Sequence, residues 1–205
     1  MSTILRVQWT IEPLAAPQPH LPCSHCGRMT AFRSSGTFRL NANGKRLDAW
    51  LIYRCLGCDG TWNRPVFERL AIGTIDPDQL NQLQANDAGL AAAIAFDGAG
   101  LRRFTSRVEP DGGVRVLKQV IIAVDSWTAL EITMVVLRPV SVRLDRLLAR
   151  ELGMSRERVK ALVNMGRLRV GSDGWRRGVR DGDRVVLDYG GDVQDRALGV
   201  AAGEG

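Results

Sequence analysis

The chain has 205 residues, 45% hydrophobic and 24% charged, with a formal net charge of +6. That is ordinary globular composition, long enough for one large domain or two to three small ones. No run approaches the ~18 apolar residues that span a bilayer, and Met1-Ser2-Thr3-Ile4-Leu5-Arg6 lacks the basic start and long apolar core of a secretion signal, so a cytoplasmic chain with reduced thiols is expected.

The four cysteines stand in two pairs, Cys23-Ser24-His25-Cys26 and Cys55-Leu56-Gly57-Cys58. Two such knuckles supply four thiolates, the set that closes a tetrahedral structural zinc site and leaves no position open for catalysis. Cys23, Cys26, Cys55 and Cys58 are therefore the expected ligands of one structural zinc ion. His25 lies between two of them and is an alternative ligand. A thioredoxin-like redox pair is a further alternative, disfavoured by two matching pairs and by the lack of a βαβ pattern. Gly27 follows the first knuckle and Gly60 the second, where tight turns can point backbone N–H groups at sulfur.

The gap between the knuckles reads as a hairpin. Thr37-Phe38-Arg39-Leu40 alternates polar and apolar, Asn43-Gly44 suits a tight turn, and Leu47, Ala49, Leu51 and Tyr53 share one face of a second strand. Asp48, Trp50, Ile52 and Arg54 share its other face.

In the middle, Asp76-Pro77 reads as an N-cap followed by proline at the first helical position, with Leu80 and Leu83 on one face. Asn86-Asp87 opens a second helix over Ala88 to Ala95, which Asp97-Gly98-Ala99-Gly100 ends. Pro110-Asp111-Gly112-Gly113 is a turn. Val114 to Val124 and Glu131 to Leu137 read as strands, being rich in Val and Ile.

Residues 138–190 hold 13 Lys and Arg against 7 Asp and Glu, whereas residues 1–137 hold 14 against 12. Such clustering points to a polyanion, nucleic acid first, with a plain solvated surface as the alternative. Leu144, Leu147, Leu148 and Leu152 form one apolar helical stripe, with Arg143, Arg146 and Arg150 off it. Gly153 ends that helix. Ser155 caps the next, where Val159, Leu162 and Val163 face inward, Arg156 and Lys160 project together, and Gly166 is a left-handed C-cap. Leu168 to Val170, Trp175 to Val179 and Arg184 to Tyr189 read as short strands, with turns at Gly171-Ser172-Asp173-Gly174 and Asp181-Gly182-Asp183.

Val142-Arg143-Leu144-Asp145-Arg146-Leu147-Leu148, Ser155-Arg156, Gly166-Arg167-Leu168-Arg169-Val170 and Asp181-Gly182-Asp183-Arg184-Val185 together resemble the S-four type, or alpha-L, RNA-binding module. The resemblance implies phosphate contacts from Arg143, Ser155, Arg156, Lys160 and Arg167, and Arg146 joins the expected RNA-binding set. Members of that family carry Val-Asn-Gly after the second helix, whereas Val170 here precedes Gly171-Ser172-Asp173-Gly174, so one RNA-facing loop differs. The whole chain, from Gln8-Trp9-Thr10 through Asn41-Ala42-Asn43-Gly44-Lys45-Arg46-Leu47-Asp48 and Trp62-Asn63, resembles an uncharacterised bacterial family, domain of unknown function 1062. That likeness implies an architecture and no activity.

No enzyme is expected. The only histidines, His20 and His25, lie beside or within the first knuckle, and no phosphate-binding Gly-Lys-Ser/Thr loop exists. Asp76 and Asp78 suit a helix start better than a catalytic pair. The expected chain is α+β: a zinc ribbon of β-hairpins (1–72), a mixed helical and strand connecting region (73–137), a small alpha-L-like module of two helices and short strands (138–190), and a flexible tail (191–205). The expected role is a zinc-containing RNA-binding accessory protein acting on structured ribosomal or transfer RNA, with no membrane partner. Trp50 and Trp62 could stack on unpaired bases or belong to the core. A non-catalytic adaptor that uses the ribbon as a platform for a protein partner, and a DNA-binding regulator, are the alternatives.

Overall fold

The computed structural model describes residues 4–109, 112–123, 127–171 and 174–188. In chain order these form β1 (Ile4–Pro13), β2 (Gln18–Cys23), β3 (Arg28–Asn43), β4 (Arg46–Cys55), β5 (Thr61–Ala71), α1 (Pro77–Gln84), α2 (Ala88–Ala95), α3 (Gly98–Leu101), β6 (Val108–Glu109), β7 (Val114–Ile122), β8 (Ala129–Val135), α4 (Leu144–Glu151), α5 (Arg156–Asn164), β9 (Leu168–Val170) and β10 (Arg184–Asp188). The class is α+β, with sheet predominating. Among the described residues no helix is long and apolar enough to cross a membrane.

The chain divides into two compact units, residues 15–112 and the discontinuous set 1–14 with 113–205. This differs from the four consecutive segments expected from sequence. The connecting region 73–137 forms no module of its own. Its helices cover the cysteine-bearing sheet, and β7 and β8 join the sheet that β1 begins.

In the discontinuous unit the sheet order is β7-β1-β8-β10-β9. β1 alternates Leu5, Val7, Trp9 and Ile11, all buried, with more exposed Arg6, Gln8, Thr10 and Glu12. Strand geometry sends alternate residues to opposite faces, so one face of β1 packs into the core. β1 pairs antiparallel with β7 and parallel with β8, which makes the sheet mixed. Leu144, Leu147 and Leu148 of α4 and Val159 and Leu162 of α5 close the core against Leu130, Ile132, Val185 and Leu187. Ser155 Oγ caps α5 by accepting from Arg158 N at 3.1 Å. Gly153 (φ 62°) and Gly166 (φ 68°) take the left-handed conformation that ends each helix.

In the other unit the order is β5-β4-β3-β2-β6. Phe32, Phe38, Ala49, Leu51 and Tyr53 line its inner face under Leu83, Ala91, Ala95 and Leu101 of the three helices. Asp76 caps α1 by accepting from the amides of Asp78 and Gln79, and Asp87 caps α2 through Leu90 N. Arg64 is buried, and its guanidinium donates to Ile94 O (2.6 Å) and Asp97 Oδ2 (2.8 Å), pinning the α2–α3 junction to β5.

Three local expectations shift. The hairpin between β3 and β4 turns at Gly44-Lys45, because Asn43 still pairs with Arg46. Gly44 takes the positive φ (59°) at the first loop position, as type II′ turns require. Asp97 does not merely end a helix. It caps the short α3, accepting from Gly100 N. Trp175 to Val179 forms no strand, only an isolated bridge from Gly178 to Arg143. Val124, the turn residues Pro110, Asp111, Ser172 and Asp173, Tyr189 and the tail lie outside the described residues.

Candidate metal centre and basic surface

β2 ends at Cys23 and β4 ends at Cys55, so the two strand ends carry the first cysteine of each knuckle. The sulfurs of Cys23, Cys26, Cys55 and Cys58 all lie within 4.8 Å of one another. Cys23 Sγ is 3.5 Å from Cys58 Sγ, and Cys26 Sγ is 3.8 Å from Cys55 Sγ. The group could hold a metal ion. His25 is exposed and is not part of the cluster.

The two knuckles share a backbone design. Gly27 N donates to Cys23 O, and Asp59 N donates to Cys55 O, each at 2.9 Å. Gly27 (φ 65°) and Asp59 (φ 57°) occupy matching left-handed positions after the second cysteine. Within each knuckle an amide points at sulfur: Cys26 N to Cys23 Sγ at 3.4 Å and Gly57 N to Cys55 Sγ at 3.3 Å. Gly57 and Gly60 matter for space. A Cβ at Gly57 would sit 3.2 Å from Cys26 Sγ, and one at Gly60 3.2 Å from Cys58 Sγ.

Without a cation the four thiols perturb one another. Side-chain hydrogen bonding to Cys58, then burial, pushes Cys26 up to about 12. Burial works against the Cys55 thiolate, but amides of Gly57 and Cys58 outweigh it and bring Cys55 down to about 6. Four sulfurs converge within 4.8 Å of one another, and that is a donor set suited to a thiophilic cation.

The second feature is basic. Asp145 on α4 is 1% exposed, and its Oδ1 accepts from Arg143 Nε at 3.0 Å. Its Oδ2 accepts from Arg156 Nη2 at 2.7 Å. Burial would raise the Asp145 carboxyl, but the two guanidiniums outweigh it and hold it below the usual carboxylate range. One buried carboxylate thus fixes two half-exposed arginines, one at the start of each helix. In the sequence Asp145 is only one letter of a motif. Its position within the run of α4 core residues, where a carboxylate needs partners, is the signal that marks it.

The remaining expected residues are more dispersed in role. Arg146 is exposed on α4. Ser155 Oγ is engaged as a helix cap. Lys160 Nζ lies 3.9 Å from Glu157 Oε2. Arg167 Nε donates to Asp188 O at 3.1 Å, tying it to β10. In the other unit Trp62 packs edge-on between Tyr53 (5.2 Å) and Phe104 (5.3 Å), a core-margin position. His20 Nε2 lies 2.6 Å from Glu109 Oε1, bracing β2 against β6.

A family model described as Protein of unknown function (DUF1062) matches residues 40–173. The chain belongs to that family. The matched stretch includes Cys55, Cys58, the hairpin tip and both basic helices, and it begins after Cys23 and Cys26. No curated protein and no solved structure matches the chain.

Proposed function

We propose that the chain is a zinc-containing, non-catalytic RNA-binding protein that docks on structured ribosomal or transfer RNA. The metal half of this reading rests on the sulfur geometry. Zn–S bonds of about 2.3 Å in a tetrahedron give sulfur–sulfur edges of about 3.8 Å. The separations of 3.5 and 3.8 Å fit that size. Four thiolates leave no open coordination position, so the ion would hold the two knuckles together and carry out no reaction.

The observation that carries the RNA half is the Arg143–Asp145–Arg156 arrangement. A guanidinium already held by a buried carboxylate loses less side-chain freedom when it meets a phosphate. Arg143 and Arg156 keep 45% and 55% of their side-chain surface exposed, so free N–H groups remain for a ligand. Arg146 and Lys160 add charge on the same two helices. Contacts of this type read backbone shape rather than sequence, which suits folded RNA.

The test is binding of labelled structured ribosomal RNA across a salt series, with unlabelled duplex DNA as competitor. Tight, salt-sensitive binding that resists duplex DNA is expected, and Arg156→Glu should weaken it about tenfold or more. Binding that ignores Arg156→Glu, or that duplex DNA displaces equally well, would refute the reading. Capture of one protein partner that persists after ribonuclease treatment, with no RNA affinity, would favour the adaptor reading instead.

A further inference from the structure

The outer face of the cysteine-bearing sheet carries a charge arrangement that packing does not explain. β4 sends Leu47, Ala49, Leu51 and Tyr53 inward, all buried, and Arg46, Asp48, Trp50, Ile52 and Arg54 outward. The β3 register sets Arg33 directly opposite Arg54, Arg39 opposite Trp50 and Asn41 opposite Asp48. On the other flank β5 sets Thr61 opposite Arg54, Asn63 opposite Ile52 and Pro65 opposite Trp50, none of them acidic. Like charges directly opposite across a ladder destabilise a sheet. Arg33, Arg39 and Arg54 are exposed, and none has an ion-pair partner among the described residues.

The carboxylates on this face are already engaged. Asp48 accepts from Arg69 N at 2.6 Å and from Asn41 Nδ2 at 3.4 Å. Glu68 Oε1 accepts from Trp50 Nε1 at 3.1 Å, which fixes the half-exposed indole. At the hairpin end the face continues into a groove of about 710 Å³ lined by Asn41, Asn43, Arg46, Asp48 and Arg69. Arg54 and Arg46 are eight residues apart, about 26 Å along a strand rising ~3.3 Å per residue.

We infer that this face is a track for single-stranded RNA, with Arg33, Arg54 and Arg39 on phosphates and Trp50 stacking on a base. Unpaired arginines supply charge complementarity to a polyanion. A half-exposed indole held by its bond to Glu68 takes an unstacked base, which a duplex does not offer. The inference rests on the reading of the chain as an RNA-binding protein, but on none of the helical residues used there.

The experiment uses the full-length, metal-loaded protein and a fluorescent twelve-nucleotide oligouridine as probe, with structured ribosomal RNA measured in parallel. Trp50→Ala should weaken oligouridine binding about tenfold, the scale of one lost base stack, while Trp50→Phe retains most of it. Arg54→Glu should weaken oligouridine binding and flatten its logarithmic salt dependence by about 0.7 per lost phosphate contact. The same substitution should raise the melting temperature, because an opposite-charge pair with Arg33 replaces a repulsive one. A purely structural arginine would not combine these two signs. Oligouridine that fails to bind, or that binds without regard to Arg54 and Trp50, overturns the inference. So does capture of an acidic protein through Arg54 with no oligouridine affinity. If Arg156→Glu weakens only structured RNA, the two surfaces are separable and the track stands. If the ribbon variants alone matter, the helical reading fails and the track still stands.

Discussion

Replacing Asp145 with Asn removes one charge and changes almost no volume. The carboxylate accepts one hydrogen bond on each oxygen, from Arg143 Nε at 3.0 Å and Arg156 Nη2 at 2.7 Å. The amide keeps one acceptor and turns a donor toward the other guanidinium. One charge-assisted bond is lost and the other becomes weaker. Hydrogen bonds to charged groups contribute about 1.5–3 kcal/mol each. Both arginines are about half exposed and can rehydrate, so the expected loss is about 2 kcal/mol at pH 7 rather than the full sum.

The pH dependence gives a second signature. The folded-state pKa of Asp145 is depressed below its unfolded value of about 3.9. Near that value the unfolded chain binds more protons, so the carboxylate's contribution is fully present above about pH 5 and is lost as pH falls through the folded pKa. Asp183, likewise depressed by its paired bonds from Arg177, titrates in both proteins and cancels in the comparison. Urea unfolding read by amide hydrogen exchange in α4 and α5 isolates this unit. The gap between wild type and Asp145→Asn should be about 2 kcal/mol at pH 7 and shrink steadily below about pH 4. A gap under about 0.5 kcal/mol, the scatter of ordinary surface substitutions, or one independent of pH, would refute the role given to the buried carboxylate.

Metal analysis of the purified protein should find about one zinc per chain. Cys55→Ser or a strong chelator should unfold the unit of residues 15–112, since structural zinc contributes an apparent ~10–16 kcal/mol against a typical domain stability of ~5–15. An unchanged near-ultraviolet spectrum in the metal-free protein would contradict this. Gly57→Ala should speed zinc loss to a chelator severalfold, because the new methyl would sit 3.2 Å from Cys26 Sγ. Unaltered release kinetics would mean that the cluster yields without cost at that point.

Short-range signals are legible in the amino-acid sequence. Knuckle spacing picks out the four cysteines that meet, side-chain caps mark Asp76, Asp87 and Ser155, and the leucine stripe of α4 predicts its buried face. Each cap, the stripe and each knuckle taken singly depend on residues within a turn or two of one another, whereas the meeting of the two knuckles spans 29 to 35 residues. β1 carries a signal of the same kind in its strict alternation of Leu5, Val7, Trp9 and Ile11, which by itself reads as a half-buried strand.

The amino-acid order alone determined which residues can bind metal, start helices or face a core, because those properties belong to local chemistry and period. Only the tertiary structure decided which distant segments meet. The parallel pairing of β1 with β8 encloses residues 15–112 as an insertion, and no local pattern encodes a partner that far away. The same holds for the opposed arginines. The pairing near the hairpin tip, continued without interruption, would set Arg33 across from Leu56. The irregularity between Ser34 and Phe38 slips the register by two residues and brings Arg33 to Arg54. An even slip keeps every side chain on its face, so the inner face stays apolar while the outer face gains its charge.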